Sequence, residues 1–270
     1  MNIIAFIFIF LLGTIIGSFL NVVIYRLNTG KSFVCGRSIC MTCSRSLRWY
    51  ELIPIFSFLI QSGKCRRCAS KISHQYPLVE FGTGLIFVLI AKHFLPILFI
   101  SYWSFLLLFV LFSYIFSLLI IISVYDIRHK IIPNKLAYLY AFVSFVSIFL
   151  SYQGGSLGLA FPSTLALFSG PIFAIPFAFL WLVSKGKWMG LGDAKLVLGL
   201  GWMLGPAHAL SAVILSFWIG AIFGLFTILF SKKKVGMKTE IPFAPFLIIG
   251  TMIAFFFNLD IFGLIRLLQV

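Results

Sequence analysis

The clearest indication of the fold class is the N-terminal sequence "MNIIAFIFIFLLGTIIGSFLNVVIYR", residues 1–26. It contains no basic residue before Arg26, and an apolar run of about 20 residues is long enough to cross a bilayer as an α-helix. A cleaved signal peptide would carry a positively charged start and a small-x-small cleavage site, and this stretch has neither. We therefore expect residues 1–25 to form a retained transmembrane helix.

The whole chain shares this apolar character. Hydrophobic residues make up 61% of the 270 residues, charged residues only 10%, and the mean hydropathy is +1.12. A soluble domain has about half apolar and a quarter charged residues, so the composition predicts an all-α integral membrane protein. The net charge of +15 would suggest nucleic acid for a soluble protein. Here we expect membrane lipid and no nucleic acid as the partner of this charge.

The apolar pattern predicts about eight transmembrane helices. They lie near residues 2–25, 78–98, 102–125, 135–153, 163–184, 191–207, 209–230 and 243–265. With the N-terminus outside, 19 of the 21 Lys and Arg residues fall in inward loops, the exceptions being Lys92 and Arg266. The rule that cytoplasmic loops are positive therefore predicts a multi-pass membrane protein with its N-terminus outside.

Three segments follow from this pattern. Residues 1–25 form the first helix, residues 26–77 form a polar cytosolic loop domain, and residues 78–270 form a membrane core of seven helices. The loop domain contains the sequence "CGRSICMTCSRSLRWYELIPIFSFLIQSGKCRRCASK" (35–71). It is the only long polar interruption of the apolar pattern.

The loop domain carries two C-x-x-C pairs. Cys40 and Cys43 form the first and Cys65 and Cys68 the second, with 21 residues between them. Two such pairs at this separation predict a zinc-ribbon-like site with four thiolate ligands and a structural role. Disulfides and redox-active pairs remain alternatives, although cytosolic thiols are kept reduced. Cys35 is left over, and we expect it to be a spare buried or inert thiol.

Basic neighbours of these cysteines favour the thiolate form of the side chains. They are Arg45, Lys64, Arg66 and Arg67.

Three aspartates exist, and the predicted topology decides which can meet. Asp126, in "VYDIRHKIIPN" (124–134), ends the third span on the inner side. Asp193, in "GLGDAKL" (190–196), begins the sixth span at the same face, whereas Asp260 approaches the outer side. Carboxylates at membrane depth are costly and indicate function. The alternatives are a solvated Asp126 paired with Arg128 or Lys130, and an Asp193 that caps its helix.

Two facing carboxylates share a proton, so one activates water while the other protonates a carbonyl oxygen. This chemistry of aspartic proteases needs neither a metal nor a covalent intermediate. The glycines of "GLGD", Gly190 and Gly192, allow a substrate backbone to approach closely.

These motifs identify a family. The chain resembles the bacterial type IV prepilin peptidases, which are leader peptidases and N-methyltransferases of the GxGD-type intramembrane aspartic proteases. The resemblance rests on five sequence motifs in order: "GSFLNVVIYRL" (17–27), the four-cysteine loop, "YPLVEF" (76–81), "DIRHKIIPN" (126–134) and "GLGDAKL" (190–196). One departure is Asn134, where many relatives carry an acid after "IP".

The resemblance implies an aspartic-type endopeptidase with Asp126 and Asp193 as its catalytic pair at the cytosolic face. The substrates would be type IV prepilins or pseudopilins, cleaved after a glycine that follows a short basic leader. It also implies methylation of the new N-terminus with S-adenosylmethionine, and structural zinc on the four cysteines. No nucleotide-binding turn of the G-x-G-x-x-G type is present, so residues that bind the methyl donor are not assigned.

Four further residues are candidate supports of the site or of the substrate: Gly190, Gly192, Lys195 and Glu80. Lys195 either orients Asp193 or marks the cytosolic side. Glu80 begins a predicted span and could meet a substrate cation or amine, whereas Glu51 is expected to pair with a base of the loop, such as Arg48.

Three alternatives stay open. Presenilin-type proteases also combine "YD" with "GxGD", but "IPFAPF" (241–246) does not match their Pro-Ala-Leu element. A transporter could use the aspartates as proton relays and the cysteine loop as a zinc sensor. A thiol oxidoreductase could use the C-x-x-C pairs directly.

Overall fold

The structure, a computed structural model, describes residues 2–153, 156–230 and 242–261. The chain divides into two compact units, one up to Ile121 and one from Ile122 onward. Both units are mostly helical, as the composition predicts.

The first unit pairs two long helices and places the cysteine loop between them. Its elements are α1 (Ile3–Arg26), a 3₁₀ turn (Trp49–Glu51), α2 (Phe56–Ile60), α3 (Gln75–His93), α4 (Leu95–Leu98) and the first part of α5 (Tyr102–His129). Helices α1 and α3 approach closely because both contribute glycine. A Cβ on Gly13 would lie 2.7 Å from the Cα of Gly84, a contact that only small residues permit.

The second unit is arranged around α8. After the end of α5 it contains α6 (Asn134–Ser147), strands β1 (Leu150–Gln153) and β2 (Ser156–Leu159), α7 (Thr164–Ser184), α8 (Leu191–Phe230) and α9 (Ala244–Phe257). Helices α6, α7 and α9 all pack on α8. Where α7 crosses α8, the Ser169 hydroxyl donates to the Gly201 carbonyl at 2.8 Å, and a Cβ on Gly201 would lie 2.7 Å from the Cα of Gly170.

Within the described residues, four helices are long and apolar enough to cross a membrane: α1, α5, α7 and α8. The predicted number of eight spans is not confirmed. The all-α prediction is also incomplete, because β1 and β2 form an antiparallel hairpin in which Leu150 lies opposite Leu159. The fourth predicted span (135–153) therefore ends early, at Ser147, since the sequence "SYQGGS" (151–156) is too polar to extend a membrane helix.

The predicted sixth and seventh spans form the single element α8. Its helical backbone is interrupted at Gly205 (φ 71°, ψ 174°) and resumes at Pro206. Glycine tolerates this positive φ, and proline suits the first turn of a new helix because its missing N–H is not needed there. The predicted gap at residue 208 is thus displaced to residue 205.

Some sequence predictions concern residues outside the described ranges. They are the basic loop 232–238, Arg266 and the end of the eighth predicted span beyond residue 261.

Candidate active site and metal site

Asp126 lies in the last turn of α5 and is 5% exposed. The backbone N–H of Ala244, the first residue of α9, donates a hydrogen bond to its carboxylate. The first amides of a helix have no partner within the helix. Here Pro245 has no N–H, and the amides of Phe246 and Leu247 donate to the Phe243 carbonyl. The Ala244 amide is therefore available to Asp126.

Asp193 is the third residue of α8 and is 8% exposed. Its own N–H donates to the Gly190 carbonyl at 3.2 Å, and the Gly190 backbone N–H interacts electrostatically with its carboxylate. This reciprocal pair resembles a capping box, in which the third helical residue reaches back to the residue before the helix. The alternative of Asp193 as the N-cap is wrong, because the residue lies inside the first turn.

The two aspartates lie close enough for their carboxylates to interact electrostatically. Asp260 is placed elsewhere. It follows the C-terminal end of α9, whereas Ala244 at the other end of this helix contacts Asp126. A helix of 14 residues is about 21 Å long, so Asp260 is separated from the pair by that length.

The two glycines of "GLGD" have different surroundings. A Cβ on Gly192 would lie 2.8 Å from the Cβ of Ile132, in the turn between α5 and α6. Gly192 therefore packs against protein, and its expected role in substrate approach is not supported. Gly190 is exposed, and a Cβ there would lie 3.5 Å from an Asp193 carboxylate oxygen, an ordinary contact.

Lys195 links α8 to α6. Its Nζ donates to the Asn134 side-chain oxygen at 2.8 Å and lies 4.8 Å from the ring centre of Tyr138. Asn134 is the position where the resemblance leads us to expect an acid, and its amide oxygen accepts this hydrogen bond. Lys195 thus connects the first turns of α8, which carry Asp193, to α6.

The four cysteines of the loop form a cluster. The Sγ atoms of Cys40, Cys43, Cys65 and Cys68 all lie within 4.8 Å of one another, and those of Cys40 and Cys68 are 3.8 Å apart. A tetrahedral zinc site with Zn–S bonds of about 2.3 Å has S···S distances of about 3.8 Å. The donor set and its spacing therefore fit a tetrahedral metal ion.

The two C-x-x-C pairs have the same backbone structure. In each, the first cysteine, Cys40 or Cys65, donates its N–H to the carbonyl five residues later at 2.9 Å. Each also accepts, at 2.9 Å, the N–H of the residue four positions later, Ser44 or Ala69. Ser44 and Ala69 share a left-handed conformation (φ 54° and 53°). The loop thus presents two equivalent turns that direct their sulfur atoms to one point.

The thiols of Cys40, Cys43 and Cys68 do not share one pKa, because their hydrogen bonds differ. The Cys43 backbone N–H lowers the pKa of Cys40 to about 6, and the Ser70 hydroxyl lowers that of Cys68. The pKa of Cys43 is raised to about 11: the Arg45 amide lowers it, but burial and the neighbouring thiols outweigh that effect. The expected source of the lowered values, the basic side chains, is therefore wrong for Cys40 and Cys68.

Glu51 and Cys35 are also placed by the structure. Glu51 is buried, forms an ion pair with Arg45 at 2.5 Å and accepts the Arg48 N–H at 2.8 Å, which confirms the expected pairing with a base of the loop. Cys35 is exposed and lies outside the cluster, so the expectation of a buried thiol is wrong.

Glu80 is engaged within the first unit. Glu80 is 6% exposed. Its carboxylate accepts the backbone N–H of Ile55 at 2.7 Å and also interacts with the Ser18 side chain. Glu80 therefore ties the cysteine loop to α1 and α3.

Together these features define a class of protein: a helical membrane-type chain with a four-cysteine cluster that fits a metal ion and a pair of buried aspartates within electrostatic reach of each other. Residues 11–94 match the bacterial peptidase A24 N-terminal domain, and residues 113–225 match the type IV leader peptidase family. The chain belongs to the prepilin leader peptidase/N-methyltransferase family.

Relatives of that name cover nearly the whole chain. The chain is 32% identical over 254 residues to one of Bacillus subtilis, covering 93% of each protein. It is 31% identical over 258 residues to one of Vibrio cholerae, covering 91% of this chain and 94% of the relative. For one of Pseudomonas aeruginosa the identity is 29% over 280 residues, covering 90% and 87%. No solved structure matches the chain.

Sequence reasoning missed the start of α9. Ala244 contributes a backbone N–H, which no side-chain pattern reveals. The only signal is "FAPF" (243–246), where proline at the second helical position marks a helix start.

Proposed function

We propose that this protein is a membrane endopeptidase that removes the basic leader from type IV prepilins or pseudopilins and then methylates the new N-terminus. The observation that carries the proposal is the pair formed by Asp126 and Asp193, two buried carboxylates within electrostatic reach of each other in a chain of this family. Burying a carboxylate at the end of an apolar helix costs free energy, so such carboxylates indicate a functional site.

The reaction needs one proton shared by the pair. The ionised carboxylate takes a proton from water, and the water oxygen attacks the carbonyl carbon of the scissile bond. The other carboxyl group gives its proton to the carbonyl oxygen. The tetrahedral intermediate then breaks its C–N bond. The carboxyl group that took the proton of the water gives it to the leaving nitrogen, and the other carboxylate takes back the proton of the hydroxyl that becomes the new carbonyl, so the pair again holds one proton.

Backbone amides hold both carboxylates for this chemistry. The Ala244 and Gly190 N–H groups each interact with one aspartate and would help to orient its carboxylate. Each amide lies at the start of a helix, where the helix dipole favours negative charge. The remaining carboxylate oxygens are left to contact water and substrate.

We place the site at the cytosolic face of the bacterial plasma membrane, with the N-terminus outside and eight spans. The concentration of Lys and Arg in alternate loops supports this orientation. The contacts of Asp126 support two crossings within residues 191–243. Asp193 at the start of α8 and Ala244 at the start of α9 both approach Asp126, so the chain between them leaves and returns. The interruption at Gly205 lies where such a reversal is needed.

The cysteine cluster would hold a structural zinc ion. Cys40, Cys43, Cys65 and Cys68 would supply all four ligands, leaving no open position for a substrate. When bound, the ion would cross-link the two turns of the loop domain (26–77). No step of the peptidase reaction involves it.

Methylation would use S-adenosylmethionine. The relatives' names include N-methyltransferase, and this name is the support for the second activity. No residues of the chain are assigned to the methyl donor, and no step is derived through it.

The test is co-expression with a prepilin, followed by mass spectrometry of the prepilin's N-terminus. We expect Asp126→Asn and Asp193→Asn to abolish leader removal, because each leaves the pair without its base or its acid. Asp260→Asn is the matched control and should cleave like the wild type. Leader removal by either of the first two variants would refute the assignment. A mass increase of one methyl group on the wild-type product would support the second activity.

A further inference from the structure

The cysteine loop carries a run of exposed apolar side chains that the cysteine cluster does not explain. The segment 49–60, here called the apolar loop segment, lies between the two C-x-x-C turns and contains no charge except the buried Glu51. Its large apolar side chains are exposed, from 39% at Leu52 to 77% at Trp49. They are Trp49, Leu52, Ile53, Phe56, Leu59 and Ile60. A patch of this kind marks an interaction surface.

The segment is bent by a strained turn at Ile55. The Phe56 N–H donates to the Pro54 carbonyl at 2.6 Å across Ile55, whose backbone has φ 62° and ψ −55°. This is a γ-turn of the rare type with positive φ, a strained backbone conformation for a β-branched residue. The Glu80 carboxylate accepts the Ile55 N–H at 2.7 Å and so helps to hold this turn.

The bond to Glu80 fixes the height of the segment along the helices. A Cβ on Gly17 of α1 would lie 2.8 Å from the Cα of Glu80, so these two residues are level. Gly17 precedes Arg26, the last residue of α1, by nine residues, or about 14 Å. Ile55 therefore lies well back along α1 and not beyond its end.

This height places the segment within the bilayer. The 24 residues of α1 are about 36 Å long, about 6 Å more than a hydrocarbon core of about 30 Å. Even if all of the excess emerges at the Arg26 end, Gly17 remains about 8 Å inside the core, by the same helical rise and bilayer thickness. Anchoring helices insert their apolar faces to about 5–10 Å.

Exposed bases flank the apolar loop segment on both sides: Arg48 precedes it, and Lys64, Arg66 and Arg67 follow it. Long basic side chains extend from buried apolar surface to the phosphate level of a membrane, and bases near an anionic membrane surface are attracted to it. The charge pattern therefore selects a bilayer with anionic lipids as the occupant of this surface.

We propose that the apolar loop segment is a membrane anchor, with the side chains of Phe56, Leu59 and Ile60 among the lipid acyl chains at one face of the bilayer. The anchor holds the cysteine domain flat against the membrane, and Glu80 sets its depth. This inference rests on α1 spanning the membrane and is independent of the peptidase chemistry.

The experiment measures the depth of single sites in the full-length protein. A ketone-bearing amino acid is introduced at one position and coupled to a hydroxylamine nitroxide, which leaves the cysteines unlabelled. The labelled positions are 59 and 60 in the segment, with 34 and 8 as controls. Val34 is an exposed apolar residue of the same loop outside the segment, and Phe8 is an exposed residue of α1. The protein is reconstituted at one copy per nanodisc containing anionic lipid.

Electron paramagnetic resonance then compares collisions of each nitroxide with oxygen, which concentrates in lipid, and with a water-soluble nickel chelate. We expect oxygen to dominate at positions 59, 60 and 8, and nickel at position 34. Nickel dominance at 59 and 60 would overturn the anchor, as would low collision rates with both reagents, which indicate cover by protein. If position 8 also favours nickel, the placement of α1 in the membrane is wrong, and the anchor is overturned together with it.

Discussion

Gly192→Ala should reduce leader cleavage strongly, because it displaces the helix that carries Asp193. The new Cβ would lie 2.8 Å from Cβ of Ile132 and 3.2 Å from its Cδ1. A normal contact between two carbon atoms needs about 3.5–4.0 Å, so the start of α8 must move by about 1 Å relative to the turn that follows Asp126. Overpacking of this kind costs about 1–3 kcal/mol, and a 1 Å misplacement of reacting groups lowers rates about 100-fold.

Gly190→Ala is the matched control in the same motif. Its Cβ would lie 3.5 Å from the Asp193 carboxylate oxygen in an exposed position, and it retains the N–H that Asp193 accepts. We expect this variant to keep its cleavage rate within about threefold of the wild type, since it makes only ordinary van der Waals contact.

The assay is cleavage of a purified prepilin by purified enzyme in liposomes, with kcat/KM measured for both variants. Thermal unfolding of the same samples separates misplacement from loss of folded protein. The reasoning is refuted if folded Gly192→Ala cleaves as fast as Gly190→Ala, because the Ile132 contact would then not position Asp193.

Three further predictions concern residues around the two sites. Glu80→Ala should lower the free energy of unfolding by about 1–3 kcal/mol, the cost of an unsatisfied buried donor, whereas Glu80→Gln keeps an acceptor oxygen and should lose less; thermal unfolding in detergent compares them. The Arg48 amide outweighs the effect of burial and lowers the pKa of Glu51 below its usual 4.5. The ionised Glu51 therefore contributes fully to stability above pH 4.5, and this contribution is lost as the pH falls through the pKa of the folded state. We expect Glu51→Gln to reduce the loss of stability on acidification between pH 6 and 3. Asn134→Asp would pair with Lys195 and should raise stability by at most about 1 kcal/mol, as expected for a partly exposed pair, without changing prepilin cleavage.

Opposite results would contradict each of these. Equal losses for Glu80→Ala and Glu80→Gln would mean that the turn does not depend on the acceptor. An unchanged acid profile in Glu51→Gln would assign the acid sensitivity to other groups, such as the cysteine ligands. A fall in cleavage for Asn134→Asp at unchanged stability would mean that the Lys195 contact controls more than the position of α8.

The sequence predicted from its alternating apolar segments and basic loops that Asp126 and Asp193 lie together and that Asp260 does not. The structure places the two aspartates within electrostatic reach of each other and Asp260 beyond the far end of α9, whereas the span number on which the prediction rested is not confirmed. The C-x-x-C pairs were equally readable, since ligand type and spacing define a tetrahedral site. In both cases the side chains themselves carry the information.

Contacts made by the backbone were not readable in the same way. The break of α8 at Gly205, the packing of Gly192 on Ile132 and the γ-turn at Ile55 depend on how segments pack in three dimensions. Hydropathy averages over a window, so it misplaced the break in α8, and it carries no information on the packing of Gly192 or on the turn at Ile55. Glu80 is an example of this limit of sequence analysis. Its position in the sequence suggested a substrate contact, whereas in the structure its carboxylate accepts the Ile55 N–H.

The use of backbone amides bears on how this site receives its substrate. The Ala244 and Gly190 amides interact with Asp126 and Asp193, whereas Lys195, two residues from Asp193, donates to Asn134 and lies over the ring of Tyr138. An N–H group at a helix start stabilises a carboxylate without adding a full positive charge. A basic prepilin leader would therefore approach carboxylates that these dipoles position without neutralising. Had a lysine held Asp193 directly, its charge would repel the leader at the point where cleavage must occur.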